Sequence, residues 1–288
     1  MPTIQSNVRQ LFSLPAVNAA PGGGRTEHVS IPVLHFPTRL DTPDLDALLI
    51  LADLQCYDRI DVPEADRTLM SHVVCREIAA LGAAGLLPAP DRTGVLLGGD
   101  LYAIPSVTER GGTGDVDALW HAFADAFRWV AGVAGNHDLF RGEARFPTDL
   151  LHRDNVHPLD GDTVHVDGLT IAGISGIPGN PRKPWRYDEQ MWAERANRVF
   201  ADPLDILLLH QGPKGCERGC RGQLMVNQTL ESARHTPRVV AFGHCQWPIV
   251  LENRDEMQWL NVDSRVVLLV REGAEVRMED EAREPPAS

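Results

Sequence analysis

Residues 129–138 read WVAGVAGNHD, an apolar run followed at once by a glycine and three polar residues. The first six residues have the length and composition of a buried β-strand. Asn136, His137 and Asp138 come directly after the glycine. In open α/β sheets, ligands bind beyond the carboxyl ends of the strands. The segment therefore predicts a buried strand that carries an amide, an imidazole and a carboxylate to the edge of a functional site.

Five other segments repeat this strand-like run, and four of them also stop at a polar residue able to bind a metal. These apolar runs cover residues 48–51, 95–97, 169–174, 206–209 and 239–242. The metal-binding residue types at the ends of the runs are Asp53, Asp100, Asn136, His210 and His244. Carboxylate, amide and imidazole donors together suit a divalent cation. We therefore expect these strand ends to converge on one place.

Helices are predicted between the strands. Apolar residues recur with helical spacing in residues 69–78 and again in residues 116–127. Strands that alternate with helices indicate an α/β fold with a largely buried sheet.

The ends of the chain differ from this alternating region. We expect one domain over residues 41–270, an N-terminal extension over residues 1–40 and a charged tail over residues 271–288. Within the extension, Pro21-Gly22-Gly23-Gly24 predicts a loop, and residues 28–36 predict one added strand.

Composition narrows the class of protein. The 288 residues are 43% hydrophobic and 23% charged, which is typical of a soluble globular protein. The net charge of −13 weighs against extended contact with nucleic acid or with anionic lipid. No apolar run approaches the roughly 20 residues of a membrane helix. The five cysteines show no C-x-x-C pair, so a reducing cytoplasm is the expected location.

The ordered set of strand-end segments resembles the signature of the calcineurin-like metallophosphoesterases. A lone Gly-Asp pair would mean nothing, whereas Gly-Asn-His-Asp after a strand is fairly specific, and the ordered set is more so. The matching segments, within residues 46–270, are Asp53-Leu54-Gln55, Gly99-Asp100, Gly135-Asn136-His137-Asp138, His210 and Gly243-His244-Cys245-Gln246. The resemblance implies an α/β fold built as a four-layer α/β/β/α sandwich.

The resemblance also implies two divalent cations. Asp100 would bridge them, and Asp53 would hold the first. Asn136, His210 and His244 would complete the second site. Mn²⁺ is the expected metal, with Fe, Mg²⁺ and Zn²⁺ as alternatives. Two such cations neutralise phosphate oxygens and acidify a bridging water into hydroxide, which attacks phosphorus in line.

The two remaining residues of the Gly-Asn-His-Asp segment have other implied roles. His137 resembles the histidine that contacts the phosphate and helps the leaving oxygen depart, since histidine near pH 7 can donate a proton. For Asp138 two roles are open, which are orienting His137 and capping a following helix.

Two positions depart from the family pattern. Gln55 and Gln246 stand where the family usually has histidines, and both positions serve the first metal. A carboxamide oxygen is a weaker, harder ligand, which favours Mn²⁺, Mg²⁺ or Ca²⁺ over Zn²⁺ or Cu²⁺. The two amides are expected either to bind the cation or to hydrogen-bond a water in the site. The first site is then filled by a hard cation, filled only with substrate present, or lost.

A basic and aromatic loop follows the strand predicted over residues 169–174. Its cations Arg182, Lys183 and Arg186 are candidates for binding substrate phosphate, and Trp185 for stacking on a ring of the substrate. The alternative is a solvated surface loop with Trp185 packed on the core.

These observations predict a cytoplasmic metallophosphoesterase that cleaves a phosphomonoester or phosphodiester by attack of a metal-bound hydroxide. One alternative is a non-catalytic or one-metal member that acts as a binding or scaffold module. Another is a nuclease on short or single-stranded nucleic acid, because the basic Arg182–Arg186 strip is compatible with such a substrate despite the net negative charge. The sequence names neither the substrate nor the oligomeric state.

Overall fold

A computed structural model describes residues 2–278 of the chain. In chain order, the strands are β1 (Thr3–Ile4), β2 (Arg9–Ala19), β3 (Thr26–Arg39), β4 (Ala47–Ala52), β5 (Thr93–Leu97), β6 (Gly114–Asp115), β7 (Trp129–Gly132), β8 (Asp138–Leu139), β9 (Val156–Pro158), β10 (Asp162–Val166), β11 (Leu169–Ile174), β12 (Ile177–Pro178), β13 (Arg186–Tyr187), β14 (Ile206–Gln211), β15 (Val239–Gly243), β16 (Leu251–Arg254), β17 (Met257–Asn261) and β18 (Arg265–Arg271). The helices are α1 (Met70–Ala83), α2 (Asp117–Ala126), α3 (Thr148–Leu151), α4 (Glu189–Val199) and α5 (Leu224–Glu231).

Two large mixed sheets form the centre of the fold. The first sheet has the order β3-β18-β4-β5-β7-β9, and β1 and β2 also pair with β3. The second sheet has the order β10-β11-β14-β15-β17-β16. Neighbouring strands from β4 to β9 run parallel, as do those from β11 to β17. Each sheet therefore presents several carboxyl strand ends along one edge.

The two sheets pack face to face, and helices cover their outer faces. Leu48 of β4 belongs to a buried cluster that also contains Leu208 of β14, so this cluster lies between the sheets. Its neighbour Leu49 packs instead with Val74 of α1, and Leu207 shares the same outer cluster with Trp192 of α4. Successive residues of a strand point to opposite faces, so both faces of each sheet are buried. The predicted four-layer α/β sandwich is confirmed.

The predicted strands and helices correspond to elements of the structure. The six apolar runs lie in β4, β5, β7, β11, β14 and β15, and the two helical segments are α1 and α2. No helix within residues 2–278 is long and apolar enough to cross a membrane.

The region predicted as an N-terminal extension over residues 1–40 pairs with the first sheet and adds more than the one strand that was expected. β2 and β3 form a hairpin whose turn contains the predicted loop at residues 21–24. β3 then pairs in parallel with β18, with Val33 opposite Val266. Length explains the difference, because the predicted strand over residues 28–36 is the middle of a strand of 14 residues. Of the predicted tail, Arg271 ends β18, and residues 279–288 lie outside the described residues.

Asp46 connects three parts of the first sheet. Its carboxylate, just before β4, accepts hydrogen bonds from Arg92 Nε at 2.5 Å and Nη2 at 3.1 Å. Arg271, at the end of β18, donates to it from Nε at 3.1 Å and also from Nη2. The hydrogen bonds from Arg92, supported by those from Arg271, hold the pKa of Asp46 below its ordinary value against the effect of burial.

We expect Asp46→Asn to lower the free energy of unfolding by about 1–2 kcal/mol at pH 7, because hydrogen bonds to a charged acceptor are lost. The pKa of Asp46 is lower in the folded state than in the unfolded state. Its stabilisation is therefore present above the ordinary pKa of aspartate and is lost as pH falls through the folded-state pKa. Urea unfolding from pH 7 to pH 3 measures the difference. Asp44→Asn is the control, since Asp44 is exposed. A difference that persists undiminished at pH 3 would contradict the assignment.

Candidate metal centre

Four strand-end side chains converge at one edge of the two sheets. Asp53 follows β4, Asp100 follows β5, and His244 follows β15. His210 lies within β14, at a register shift relative to β15. One ligand atom from each of the four residues lies within 4.8 Å of the others. The predicted convergence therefore joins two strand ends of the first sheet to two strands of the second.

The backbone turns sharply where these side chains leave the strands. Asp53, Asp100 and His244 have φ values of 56°, 54° and 57°. This left-handed conformation costs roughly 1–2 kcal/mol for a residue with a side chain, and such strain collects at functional sites. Position 243, next to His244, requires glycine, because a Cβ there would collide with the Asp53 carboxylate. Gly135 is required for the same reason, since a Cβ there would collide with Asp100.

Hydrogen bonds from the backbone orient the donors. The His244 N–H donates to Asp53 Oδ2 at 2.8 Å, and the His137 N–H donates to Asp100 Oδ1 at 2.9 Å. His210 Nδ1 lies 2.8 Å from the Gly98 carbonyl oxygen. That contact makes Nδ1 the protonated nitrogen and leaves Nε2 as the possible ligand.

The buried polar atoms of the site fit a divalent metal. His210 Nε2 lies 3.6 Å from Asp100 Oδ2 and has no hydrogen-bond partner among the described residues. The side-chain oxygen and nitrogen of buried Asn136 also have none. Leaving such a group unsatisfied costs about 1–3 kcal/mol. A metal held by Asp100, Asn136, His210 and His244 would satisfy these atoms, and the mixed donor set suits a divalent cation.

Burial and mutual charge perturb the titratable groups. Burial raises the pKa of Asp53 well above its ordinary value, and the negative charge of Asp263 adds to this effect. Burial acts to lower the pKa of His210, but the Asp100 carboxylate outweighs it and raises that pKa to about 10. Burial and then the charge of His210 lower the pKa of His244 to about 4. Metals bind the neutral imidazole, so a cation would bind His244 without releasing a proton at pH 7, whereas at His210 it would have to displace the proton from Nε2.

His137 lies on the wall of an open cavity of about 430 Å³ above the cluster. Its Nδ1 is 3.4 Å from Thr113 Oγ1. Burial lowers its pKa, although the Asp100 carboxylate opposes that effect. Arg110 and Arg221 line the same cavity and supply positive charge. The role of His137 toward phosphate remains a prediction.

The structure gives Asp138 a different role from the two that were open. Its Oδ2 accepts hydrogen bonds from the N–H groups of Asp100 and Gly135, both at 2.8 Å, and its Oδ1 accepts one from Leu101 at 3.0 Å. The carboxylate therefore neither orients the His137 ring nor caps a helix, since β8 begins at this residue. Burial, with the charge of Asp100, raises its pKa to about 6 against these hydrogen bonds. Asp138 is a positioning residue that joins the ends of β5 and β7.

The two glutamines both line the cavity. Gln55 has a buried Nε2 without a hydrogen-bond partner among residues 2–278, so its amide is not committed elsewhere. Gln246 is exposed and lies on the cavity wall. Direct ligation by either amide remains a prediction.

The basic loop is only partly placed as expected. Trp185 is 6% exposed, donates from Nε1 to the Asp138 carbonyl oxygen at 2.8 Å and packs on Phe146, with ring centroids 5.1 Å apart. This burial favours the alternative in which Trp185 packs on the core, although Trp185 also lines a second cavity, and stacking on a substrate remains a prediction. Arg182 and Lys183 are exposed and line this second cavity, of about 670 Å³.

Among the loop residues, Arg186 has an electrostatic effect on the histidines of the site. It lines the cavity that Arg182 and Lys183 line, and its positive charge also contributes to lowering the pKa values of His137 and His244. Its substrate role remains a prediction that these effects support.

Asp263 lines the cavity beside the predicted residues, and sequence reasoning missed it. It follows β17, whose sequence Met-Gln-Trp-Leu-Asn is not an apolar run. The signal that could have found it is the next apolar run, residues 266–270, which makes Asp263 part of a polar connection between two strands.

Known proteins share this fold. A family profile described as calcineurin-like phosphoesterase matches residues 48–247. The solved structure of TT1561 from Thermus thermophilus aligns with a TM-score of 0.52 at 16% identity, covering 75% of this chain and 88% of that one. Phosphopantetheinyl hydrolase (PptH) from Mycobacterium tuberculosis gives a TM-score of 0.45 at 15% identity over the same shares. No curated protein matches the chain. At these identities, the structural likeness shows the fold alone.

We expect Asp138→Ala to lower the free energy of unfolding by about 3 kcal/mol or more, because three buried N–H groups lose their acceptor. Chemical denaturation without added metal measures it. Asp154→Ala is the control, since Asp154 is exposed. Unchanged unfolding of the Asp138 variant, or an equal loss in the control, would contradict the positioning role. If Asp138→Ala does not fold, Asp138→Asn, which keeps one acceptor oxygen, should fold with an intermediate loss.

Proposed function

Because the chain belongs to the calcineurin-like phosphoesterase family, we propose that it is a metal-dependent phosphohydrolase that cleaves a phosphomonoester or phosphodiester. The observation that carries the proposal is the convergence of Asp53, Asp100, His210 and His244 at the floor of an open cavity. A buried acidic and imidazole cluster with no bound cation would be costly. The same cluster with divalent cations is a site for phosphate.

The ligand sets divide between the two halves of the cluster. We assign Asn136, His210 and His244 to one cation, Asp53 with Gln55 and Gln246 to the other, and Asp100 to both. Mn²⁺ is the first candidate. Bound divalent cations would neutralise charge on the phosphate oxygens and would lower the pKa of a bound water to about 7.

The chain's own residues bind and orient the ester. Arg110 and Arg221 line the cavity, and although the Arg110 guanidinium is paired with Glu27, both residues place positive charge near the phosphate. The hydrogen bond from the His137 N–H to Asp100 Oδ1 fixes the His137 backbone, from which the imidazole extends. In this proposal the His137 ring donates a proton to the leaving oxygen, and the contact of its Nδ1 with Thr113 helps to orient it.

The groove beside the loop favours a substrate that extends beyond the phosphate. Arg182, Lys183 and Arg186 line it, and none of them forms a side-chain hydrogen bond or ion pair within residues 2–278. Such unpaired cations suit a second anionic group on the substrate. The five cysteines are unbridged, which supports a reducing, cytoplasmic location.

We expect Mn²⁺-dependent hydrolysis of p-nitrophenyl phosphate or its bis ester. His137→Ala and Asp100→Asn should each lower kcat/KM by about 100-fold or more, because proton transfer and metal binding are removed. His152→Ala is the control, since His152 is exposed and away from the cavity. Initial rates with each ester show which class is preferred.

The alternatives give different results in the same assay. A binding module would remain folded and bind metal but hydrolyse neither ester with Mn²⁺, Mg²⁺, Fe²⁺ or Zn²⁺. A nuclease would cleave short single-stranded DNA, with binding that weakens as salt rises. Activity that survives Asp100→Asn would contradict the assignment of the site.

We expect Arg186→Met to lower kcat/KM by about tenfold, chiefly through a higher KM, because a positive charge beside the phosphate site is removed. Arg234→Met is the control, since Arg234 is an exposed arginine that lines neither cavity. Steady-state kinetics at fixed ionic strength measure the effect. Equal kinetics for the two variants would show that the loop does not bind substrate.

A further inference from the structure

Asp263 occupies a strand end next to the metal cluster. β17 ends at Asn261, two residues before it. A parallel β-bridge pairs Asp263 with Ala52, the last residue of β4, and the Ser264 N–H donates to the Ala52 carbonyl oxygen at 3.1 Å. Since Asp53 directly follows Ala52, two carboxylates lie on neighbouring strand ends.

The Asp263 side chain is buried, and its carboxylate accepts a side-chain hydrogen bond from one neighbour only within residues 2–278. It is 4% exposed, yet it lines the same cavity as Asp53 and Asp100. One carboxylate oxygen accepts a hydrogen bond from the Ser264 hydroxyl at 2.7 Å. The nearby Arg265 donates from Nε to the backbone carbonyl oxygen of Asp263 at 3.1 Å and forms no ion pair with the carboxylate. An ionised carboxylate in such surroundings is costly unless a cation pairs with it.

The backbone at Asp263 resembles that of the cluster residues. Ser264 has a φ of 55°, close to the values at Asp53, Asp100 and His244. These four residues, out of nine non-glycine residues with positive φ within residues 2–278, are the ones that line the cavity. Strain of this kind persists where the surrounding structure holds a functional group in place.

Three carboxylates meet in this half of the cavity. Asp53, Asp100 and Asp263 all line it, and Asp263 is bridged to Ala52, the residue before Asp53. A divalent cation between carboxylates offsets their mutual repulsion.

The donors of this half differ from those of the other half. Gln55, Gln246 and Asp263 line the cavity with Asp53, and all of them offer oxygen, whereas the other half has two imidazoles. We propose that Asp263 is a ligand of the cation held by Asp53. This half is then a site of carboxylate and amide oxygens that takes Mn²⁺ or Mg²⁺ over Zn²⁺. The inference rests on the metal binding in the proposed function but not on hydrolysis.

The test measures Mn²⁺ binding to metal-free protein by calorimetry, with no substrate present. Wild type should bind two Mn²⁺ per chain. Asp263→Asn should weaken one site by about tenfold or more, and His210→Ala should weaken the other. Ser264→Ala, which removes the hydroxyl but keeps the carboxylate, should retain both. The signal of a coupled Mn²⁺ pair in electron paramagnetic resonance should be lost in Asp263→Asn.

Thermal unfolding separates a ligand from a structural residue. Without metal, Asp263→Asn should melt at the wild-type temperature or above it, because repulsion with Asp53 is relieved. With saturating Mn²⁺, wild type should melt higher than the variant. A purely structural residue would lower the melting temperature in both conditions.

Two Mn²⁺ bound with unchanged affinities in Asp263→Asn would overturn the proposal. So would a wild type that binds a single Mn²⁺ that the variant binds equally well. Neither result touches the proposed hydrolysis, which the ester assays test. Conversely, loss of one site in the Asp263 variant would support the ligand role even in a protein that hydrolyses neither ester.

Discussion

The structure depends on holding several acidic side chains close together out of water. Three of these carboxylates accept hydrogen bonds from the backbone of another segment or of their own turn. His244 donates to Asp53, His137 donates to Asp100, and three N–H groups converge on Asp138. Hydrogen bonding to the charged form offsets part of the cost of burial. The peptide backbone thus places the donors, and a cation has only to occupy the space between them.

The same contacts tie the two sheets together. Asp53 belongs to the first sheet, and its hydrogen-bond donor His244 belongs to the second. His210 of the second sheet likewise reaches the Gly98 carbonyl oxygen beyond β5 of the first. A change in how the sheets pack would therefore separate the donors. The geometry of the site therefore depends on the core that packs the two sheets together. This dependence explains why a site of a few residues needs most of the chain.

Most of the fold and the convergence of Asp53, Asp100, His210 and His244 could be predicted, because buried parallel strands are short apolar runs and their ends collect ligands. Asp263 could not, since two of the five residues of β17, Gln258 and Asn261, are polar and the strand is not an apolar run. The burial of Trp185 depends on Phe146 and on the Asp138 carbonyl oxygen, which lie about 40 residues earlier in the chain. The role of Asp138 depends on where three backbone N–H groups point. Such contacts follow from tertiary packing, and no local pattern encodes them.

The position of β18 has a consequence for how the chain folds. β18 lies between β3 and β4, pairing in parallel with one and antiparallel with the other. The N-terminal hairpin, although synthesised first, reaches the rest of the first sheet through a strand made of residues 265–271. During synthesis, one edge of β3 therefore remains unpaired until residues 265–271 have emerged from the ribosome. Unpaired edges invite association between chains. Pro37 faces the β1 side, where its carbonyl oxygen accepts a hydrogen bond from Gln5, so strand alternation places Pro32 on the β18 side. Pro32 lacks an N–H group, which makes the unpaired edge a poorer template.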